Sequence, residues 1–320
     1  MNPTDLKALL PDAIAQRVSS LTIVNRRAIA VVDATGMGER ARTDIEQAIK
    51  DILSPHEDVD DVRVAMTAER KQLRLIAVGS GKGGVGKSTL TANLAIALTR
   101  RGRKVGLVDA DIYGPSQPVI LGNQGAKPTA RDDKLEPVPS KFGVPVLSMG
   151  HLVEPGRAIA WRGPMAGNAL TQLIDAHWGD AEVLLVDLPP GTGDVQLTML
   201  QKFKPAGAVI VSTPQDLALI DAARAGQLFD QAGVPVIGLV ENMSGYACPH
   251  CGEVSDPFGR GGVEEAAARL ELPFMGRIPL DLKIRQGSDA GAPPAASDDA
   301  IAQPFLDIAE KLDAWIGAKS

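Results

Sequence analysis

Two stretches of this 320-residue chain hold residue types at spacings that suit chemistry. The first is GKGGVGKS at 81–88. It fits G-x-x-x-x-G-K-[ST] at Gly81, Gly86, Lys87 and Ser88, directly after the apolar run LRLIAVGS and directly before KSTLTANLAIALTRRG. Backbone N–H groups over Gly81, Gly83, Gly84, Val85 and Gly86 can curl around phosphates, because glycines there accept left-handed backbone. Lys87 then reaches the β- and γ-phosphates, Ser88 offers a hydroxyl to Mg²⁺, and Thr89 continues the helix start. The second stretch is GYACPHCGE at 245–253, which contains both cysteines of the chain, Cys248 and Cys251. A Cys-x-x-Cys pair points to metal or redox chemistry. A tetrahedral zinc site or an iron–sulfur cluster takes four protein ligands, so one chain supplies half.

Acidic and amide residues follow the phosphate loop at the ends of apolar runs. VDAD places Asp109 and Asp111 two residues apart, on one face if the segment is extended. LLVDLPPGTGD places Asp187 after four apolar residues, the Walker B pattern, where a carboxylate holds Mg²⁺ through water. Asn242, in LVENMS, ends a later run, and its amide can both donate and accept.

The elements needed to position these residues are legible in outline. From residue 73 the chain alternates apolar strands (LRLIAVGS, KVGLVDAD, VPVLSMG, EVLLVDLPP, AGAVIVSTP, VPVIGLVENM, FMGRIPL) with helical or loop stretches. Strands apolar throughout indicate a mainly parallel sheet covered by helices on both faces, an α/β fold. Before it, 1–66 reads as a small α+β domain: a helix over 4–20, strands at 21–24 and 28–33 joined by a turn at NRR, a helix at 41–53 and a strand at 59–66. TAERKQ, 67–72, reads as a linker, and 73–320 as the nucleotide-binding domain. Residues 291–300 read as a loop before a last helix with the apolar stripe Ile301, Phe305, Ile308, Leu312 and Trp315. Asp307, Glu310 and Asp313 offset the lysines of that helix, so the stripe is expected to cover core and not membrane.

Composition limits the function. The formal net charge of −6 does not suit a general nucleic-acid binder. No apolar run of about 18 residues is present to span a membrane, and 1–20 lacks a secretory pattern. The expectation is a soluble cytoplasmic protein.

Lys82 makes the phosphate loop K-G-G-x-G-K-S, the deviant Walker A form, and the chain here resembles the ParA/MinD/nitrogenase-iron-protein group of ATPases. That resemblance implies a nucleotide-dependent homodimer in which Lys82 reaches the partner's nucleotide. It also implies that Asp111 positions the attacking water, that Asp109 supports the Mg²⁺ shell, and that Asn242 reads adenine. WRGPM (161–165), VDLPPGTGD (186–194), TPQDLALIDA (213–222), VENMS (240–244), CPHC (248–251) and IPLD (278–281) occur in order. Together they resemble the Mrp/ApbC family of iron–sulfur cluster carrier ATPases, over 73 to about 295. Residues 1–66 resemble the MIP18-like domain that often precedes it, although the acidic DPE segment and cysteine usual there are missing and TGMGER fills the loop. The family implies ATP, Mg²⁺, a [4Fe–4S] cluster bridging a homodimer through Cys248 and Cys251, and apo iron–sulfur proteins as acceptors. A two-fold axis repeats the cysteine pair and so completes four ligands. Spacing alone leaves zinc open, with His250 or across a dimer, and a thioredoxin-like dithiol is a further reading. A MinD-type partitioning ATPase and a reductive role gated by ATP share the same loop.

Overall fold

The computed structural model describes residues 6–35, 37–67, 73–112, 114–152, 164–191 and 193–319. They belong to two units, 1–72 and 73–320. Of the expected linker, 67–72, Thr67 ends a strand and 68–72 lie outside the described residues, as do 161–163 of WRGPM and Thr192 of the PPGTGD segment.

In the first unit the expected helix over 4–20 is not formed. Pro11 interrupts it, having no N–H to give and a ring that crowds the preceding turn. After Pro11 the chain makes a single helical turn, Asp12–Ala15, and then enters strand β1 from Val18 to Val24. The apolar residues still find the core, since Leu6, Leu10 and Val18 are buried. β1 pairs antiparallel with β2 (Arg27–Asp33) across a two-residue turn. Both turn residues, Asn25 and Arg26, have positive φ (50° and 63°), the geometry whose twist matches that of a hairpin. The helix Glu39–Leu53 crosses over to β3 (Asp61–Thr67), which lies parallel to β2. Ile49 and Leu53 bury the inner face of the helix against the sheet core of Val18, Leu21, Ala28, Ala30 and Val32.

The second unit is built on a seven-stranded sheet. Its strands are β4 (Arg74–Gly79), β5 (Val105–Asp109), β8 (Val146–Ser148), β9 (Val183–Asp187), β10 (Gly207–Ser212), β11 (Val236–Asn242) and β14 (Phe274–Ile278). The order is β14-β11-β10-β4-β9-β5-β8 and every pairing is parallel. Two small hairpins absent from the sequence reading complete the unit: β6–β7 (Thr129–Arg131, Lys134–Glu136) and β12–β13 (Tyr246–Ala247, Val254–Ser255). Pairs of two or three residues are too short to show a period. Residues 291–300 also hold a tight turn, Pro294–Ala296, that the loop reading did not resolve.

Both faces of the sheet are covered, which is why its strands carry no polar alternation. One face meets the helices Lys87–Arg100 and Gln303–Ala318, with Leu90, Leu94, Phe305, Ile308 and Leu312 buried between. The stripe of the last helix is thus spent on the protein's own core, and among the described residues no helix is long and apolar enough to cross a membrane. The other face meets Pro164–Ile174, Asp216–Gln231 and Gly262–Arg269, with Leu170, Leu173 and Phe229 buried. β4 sits at the centre with β9 and β10 on either side, so the chain leaves the carboxyl end of β4 where the strand order reverses. That crevice is where open α/β sheets bind ligands.

One buried group is poorly accommodated. His151, in the turn after β8, is 7% exposed and neither ring nitrogen has a hydrogen-bond partner. Burial lowers its pKa to about 4. The folded protein therefore keeps the ring neutral, while the unfolded chain protonates it near 6.5. Its contribution to stability is intact above pH 6.5 and is lost as pH falls toward 4. Urea denaturation at stepped pH should show wild-type stability falling across this window by up to about 3 kcal/mol more than in His151→Phe. Parallel pH profiles for the two proteins would reject this account.

Candidate functional site

The phosphate loop leaves β4 at Ser80 and enters the helix Lys87–Arg100 through Gly86. Gly86 has φ 84°, and a Cβ there would lie 2.0 Å from Asn242 Nδ2. Both the backbone conformation and the close neighbour require glycine. Asn242, the last residue of β11, donates from Nδ2 to the Val85 carbonyl at 2.7 Å. It braces the loop, using one of its two amide hydrogens. From the other side, Gly191 N–H donates to Ser80 O at 3.0 Å. Lys82 stands exposed at the loop tip.

Above the loop opens a cleft of about 490 Å³. Gly83, Gly84, Gly86, Lys87, Ser88 and Thr89 form its floor; Asp111, Pro190, Met243 and Asp289 are among its walls. The N–H groups at the start of the helix point into such a cleft and favour an anion there.

Lys87 is buried, and its Nζ lies 2.5 Å from Asp187 Oδ1, 3.4 Å from Ser88 Oγ and 3.9 Å from Asp111 Oδ2. Asp187 ends β9 and is fully buried. It also accepts from Gln117 Nε2 at 2.8 Å and from Thr91 Oγ1 at 3.4 Å. Parallel register sets Asp109, at the end of β5, directly beside Asp187. Asp109 is fully buried and accepts from Ser116 N and Gln117 N at 3.0 Å and from Ser148 Oγ at 2.8 Å. Its oxygens are engaged in shaping the segment after β5. Burial, and then the adjacent Asp187 carboxylate, push its carboxyl up to about 7. Asp111 is the carboxylate of this run that reaches the cleft, and it accepts from Gly114 N–H at 3.2 Å.

The cysteines occupy the tip of the β12–β13 hairpin. Cys248 N–H donates to Glu253 O at 2.9 Å and Gly252 N–H to Cys248 O at 2.8 Å, which closes a tight loop around Pro249, His250 and Cys251. Cys248 is half-buried and Cys251 exposed, both as free thiols. The N–H groups of Cys251 and His250, with the Cys251 thiol, hold the Cys248 thiol below its usual range. Among the described residues no group of three or more His, Cys, Asp or Glu side chains could hold a metal ion. The hairpin leaves β11 immediately beyond Asn242. Its root is fixed by Ser244 N–H on Ile278 O, by Leu280 N–H on Gly245 O, and by Ser244 Oγ on Glu241 at 2.7 Å. Glu241 is fully buried and also accepts from Gly261 N, Val263 N and Arg277 Nε.

Sequence reasoning missed Gln117, Thr91, Ser148 and Glu241. Thr91 could have been found, since it lies one helical turn after Lys87 and so on the same face. The other three gain their roles from strand register and loop path, which no local pattern encodes.

Over residues 71–313 the sequence matches the ParA family model described as NUBPL iron-transfer P-loop NTPase. The chain belongs to this family. It is 48% identical over 243 residues to the iron-sulfur protein required for NADH dehydrogenase of Arabidopsis thaliana mitochondria, covering 74% of this chain and 77% of that protein. It is 48% identical to the iron-sulfur cluster carrier protein of Deinococcus radiodurans, covering 77% and 71%. The carrier protein of a Synechocystis strain is 40% identical across 96% of this chain and 90% of its own. Among solved structures, the ADP complex of a nucleotide-binding protein from Archaeoglobus fulgidus superposes with TM-score 0.63 at 39% identity, covering 73% and 91%. The MinD protein of Pyrococcus horikoshii with Mg-ADP superposes at 0.59 and 26% identity, covering 78% and 99%. The P-loop NTPase fold and the iron–sulfur carrier resemblance are thus both borne out.

In this P-loop NTPase the lysine of the loop and the carboxylate of β9 are partners across the cleft floor. Removing one partner of a buried ion pair strands the other charge, at about 3–5 kcal/mol. Lys87→Ala should destabilise the nucleotide-free protein by an amount of that order, and Asp187→Asn added to it should restore more than half. Trp161, Trp178 and Trp315, all the tryptophans of the chain, lie within 73–320, so fluorescence during urea denaturation reads this unit. Single and double variants of equal stability would show that the pair is not coupled.

Proposed function

We propose that the protein is an ATP-hydrolysing carrier that holds a [4Fe–4S] cluster between two copies of the chain and passes it to apo iron–sulfur proteins. The observation that carries this reading is the path of β11. Its last residue braces the phosphate loop, and six residues further on the chain reaches Cys248 in the β12–β13 hairpin. Nucleotide cleft and thiol pair therefore follow each other along one short stretch of chain. Two thiols per chain are half a cluster's ligands, and a two-fold dimer supplies the rest. The names of the relatives point to the same cargo.

In the cleft, Lys87 leaves Asp187 for the β- and γ-phosphates, and loop N–H groups hold the remaining phosphate oxygens. The Ser88 hydroxyl and the Asp187 carboxylate are hard oxygen donors that suit Mg²⁺, which when bound would offset charge on the phosphates. Asp111 orients a water toward the γ-phosphorus. Its attack breaks the bond to the β–γ bridging oxygen and releases ADP and phosphate. Lys82, exposed on the loop, reaches the nucleotide of the partner copy. Free thiols and an unpaired half-site suit the reducing cytoplasm.

Anaerobic reconstitution with iron and sulfide should load about four irons per dimer in the wild type and almost none in Cys248→Ala. Equal iron in both would end the cluster reading, and stoichiometric zinc in the protein as purified would replace it with a dimer-bridging zinc. Lys87→Ala should abolish ATP turnover while keeping the iron count. Undiminished turnover would mean that the phosphate loop has been misassigned.

A further inference from the structure

Gln117 is the residue whose placement the nucleotide chemistry leaves unexplained. It follows Pro115 and Ser116 at the start of the short helix Gln117–Ile120, is fully buried and does not line the cleft. Its backbone N–H is held by Asp109 Oδ2 at 3.0 Å. Its side-chain nitrogen donates twice, to Asp187 Oδ2 at 2.8 Å and to the Ser88 carbonyl at 3.0 Å. Both partners are acceptors only, so the amide can face them only with its nitrogen. The opposite end, Oε1, is buried and has no hydrogen-bond partner. An unmet buried acceptor is unfavourable. A side chain chosen for stability alone would not leave it so. The amide is oriented by its two nitrogen bonds, at the expense of its oxygen.

We propose that Gln117 is a positioning residue for the magnesium-binding groups, with Asp187 as its target. This rests on the reading of the cleft as a nucleotide site. One –NH₂ group ties the residue whose hydroxyl suits Mg²⁺, Ser88, to the carboxylate that suits its hydration shell, Asp187. Without nucleotide, Asp187 also has the ammonium of Lys87 at 2.5 Å. When phosphates draw Lys87 away, the donors left on Asp187 among the described residues are Gln117 at 2.8 Å and the more distant Thr91 hydroxyl at 3.4 Å. Gln117 then fixes which way the carboxylate points and how far it lies from Ser88. Because Asp109 holds the Gln117 backbone, the segment that carries Asp111 is tied to the same amide.

The test separates magnesium binding from nucleotide binding. ADP affinity is measured by calorimetry in magnesium and in EDTA for wild type, Gln117→Met and Gln117→Leu. Methionine keeps the length and shape of the side chain, and leucine is the alternative if methionine does not fold. In wild type, magnesium should tighten ADP binding. In the variants the EDTA affinity should stay at the wild-type value, while the tightening by magnesium falls by about 10- to 100-fold, the usual cost of losing a partner of a metal ligand. Full tightening by magnesium in folded variants overturns the proposal, as does an equal loss in both buffers, which would mark a packing role. ADP binding without any magnesium effect in wild type likewise overturns the proposal, whereas no ADP binding in either buffer would overturn the nucleotide-site reading itself.

Discussion

A carboxylate cannot be left charged and alone inside a protein, and the second unit of this chain is arranged around that constraint at Asp187. The residue is fully buried at the end of β9, beside a second buried carboxylate, Asp109. Two like charges on adjacent strands demand a cation and several donors. Lys87 supplies the cation from the neighbouring strand's loop, and Gln117 and Thr91 supply donors. Asp109 is satisfied separately by the backbone of 116–117 and by Ser148. The cation is on loan, because the same ammonium is the one that phosphates attract. On the proposed reading, the resting site is held together by a contact that its ligand must break.

The cysteine hairpin depends on the same sheet. β11 ends in Glu241 and Asn242, whose side chains point to opposite duties, as alternation along a strand requires. Asn242 meets the phosphate loop, whereas Glu241 gathers Ser244, Gly261, Val263 and Arg277 at the foot of the hairpin. A carboxylate so fully hydrogen-bonded makes a stiff root for a loop that is otherwise exposed. The thiols stand beyond this root, Cys251 exposed and Cys248 half-buried.

Much of this is legible from residues alone, for identifiable reasons. The phosphate loop announces itself because glycine, lysine and serine are needed at fixed offsets, and Asp187 because four buried apolar residues precede it. The parallel sheet shows in strands without polar alternation. The first helix misleads because Leu6, Leu9, Leu10, Ile14 and Val18 keep helical spacing while Pro11 forbids the helix they suggest. The cysteine hairpin is invisible in the sequence because its paired strands are two residues long. Asp109 and Gln117 cannot be ranked from sequence, because what distinguishes them is register between β5 and β9 and the turn of chain beyond it.

The separation of these partners along the chain has a consequence for how the protein matures. Lys87 and Asp187 are 100 residues apart, and Asn242 reaches back 157 residues to Val85. Contacts so remote in sequence close late, after the entropy of large loops has been spent. No fragment ending before β11 can assemble the brace, and none ending before β9 can assemble the ion pair. Both contacts can be present only once the chain has been made through β11, about two thirds of the way along the unit. A ligand that binds the assembled cleft and not the unfolded chain would favour the finished state.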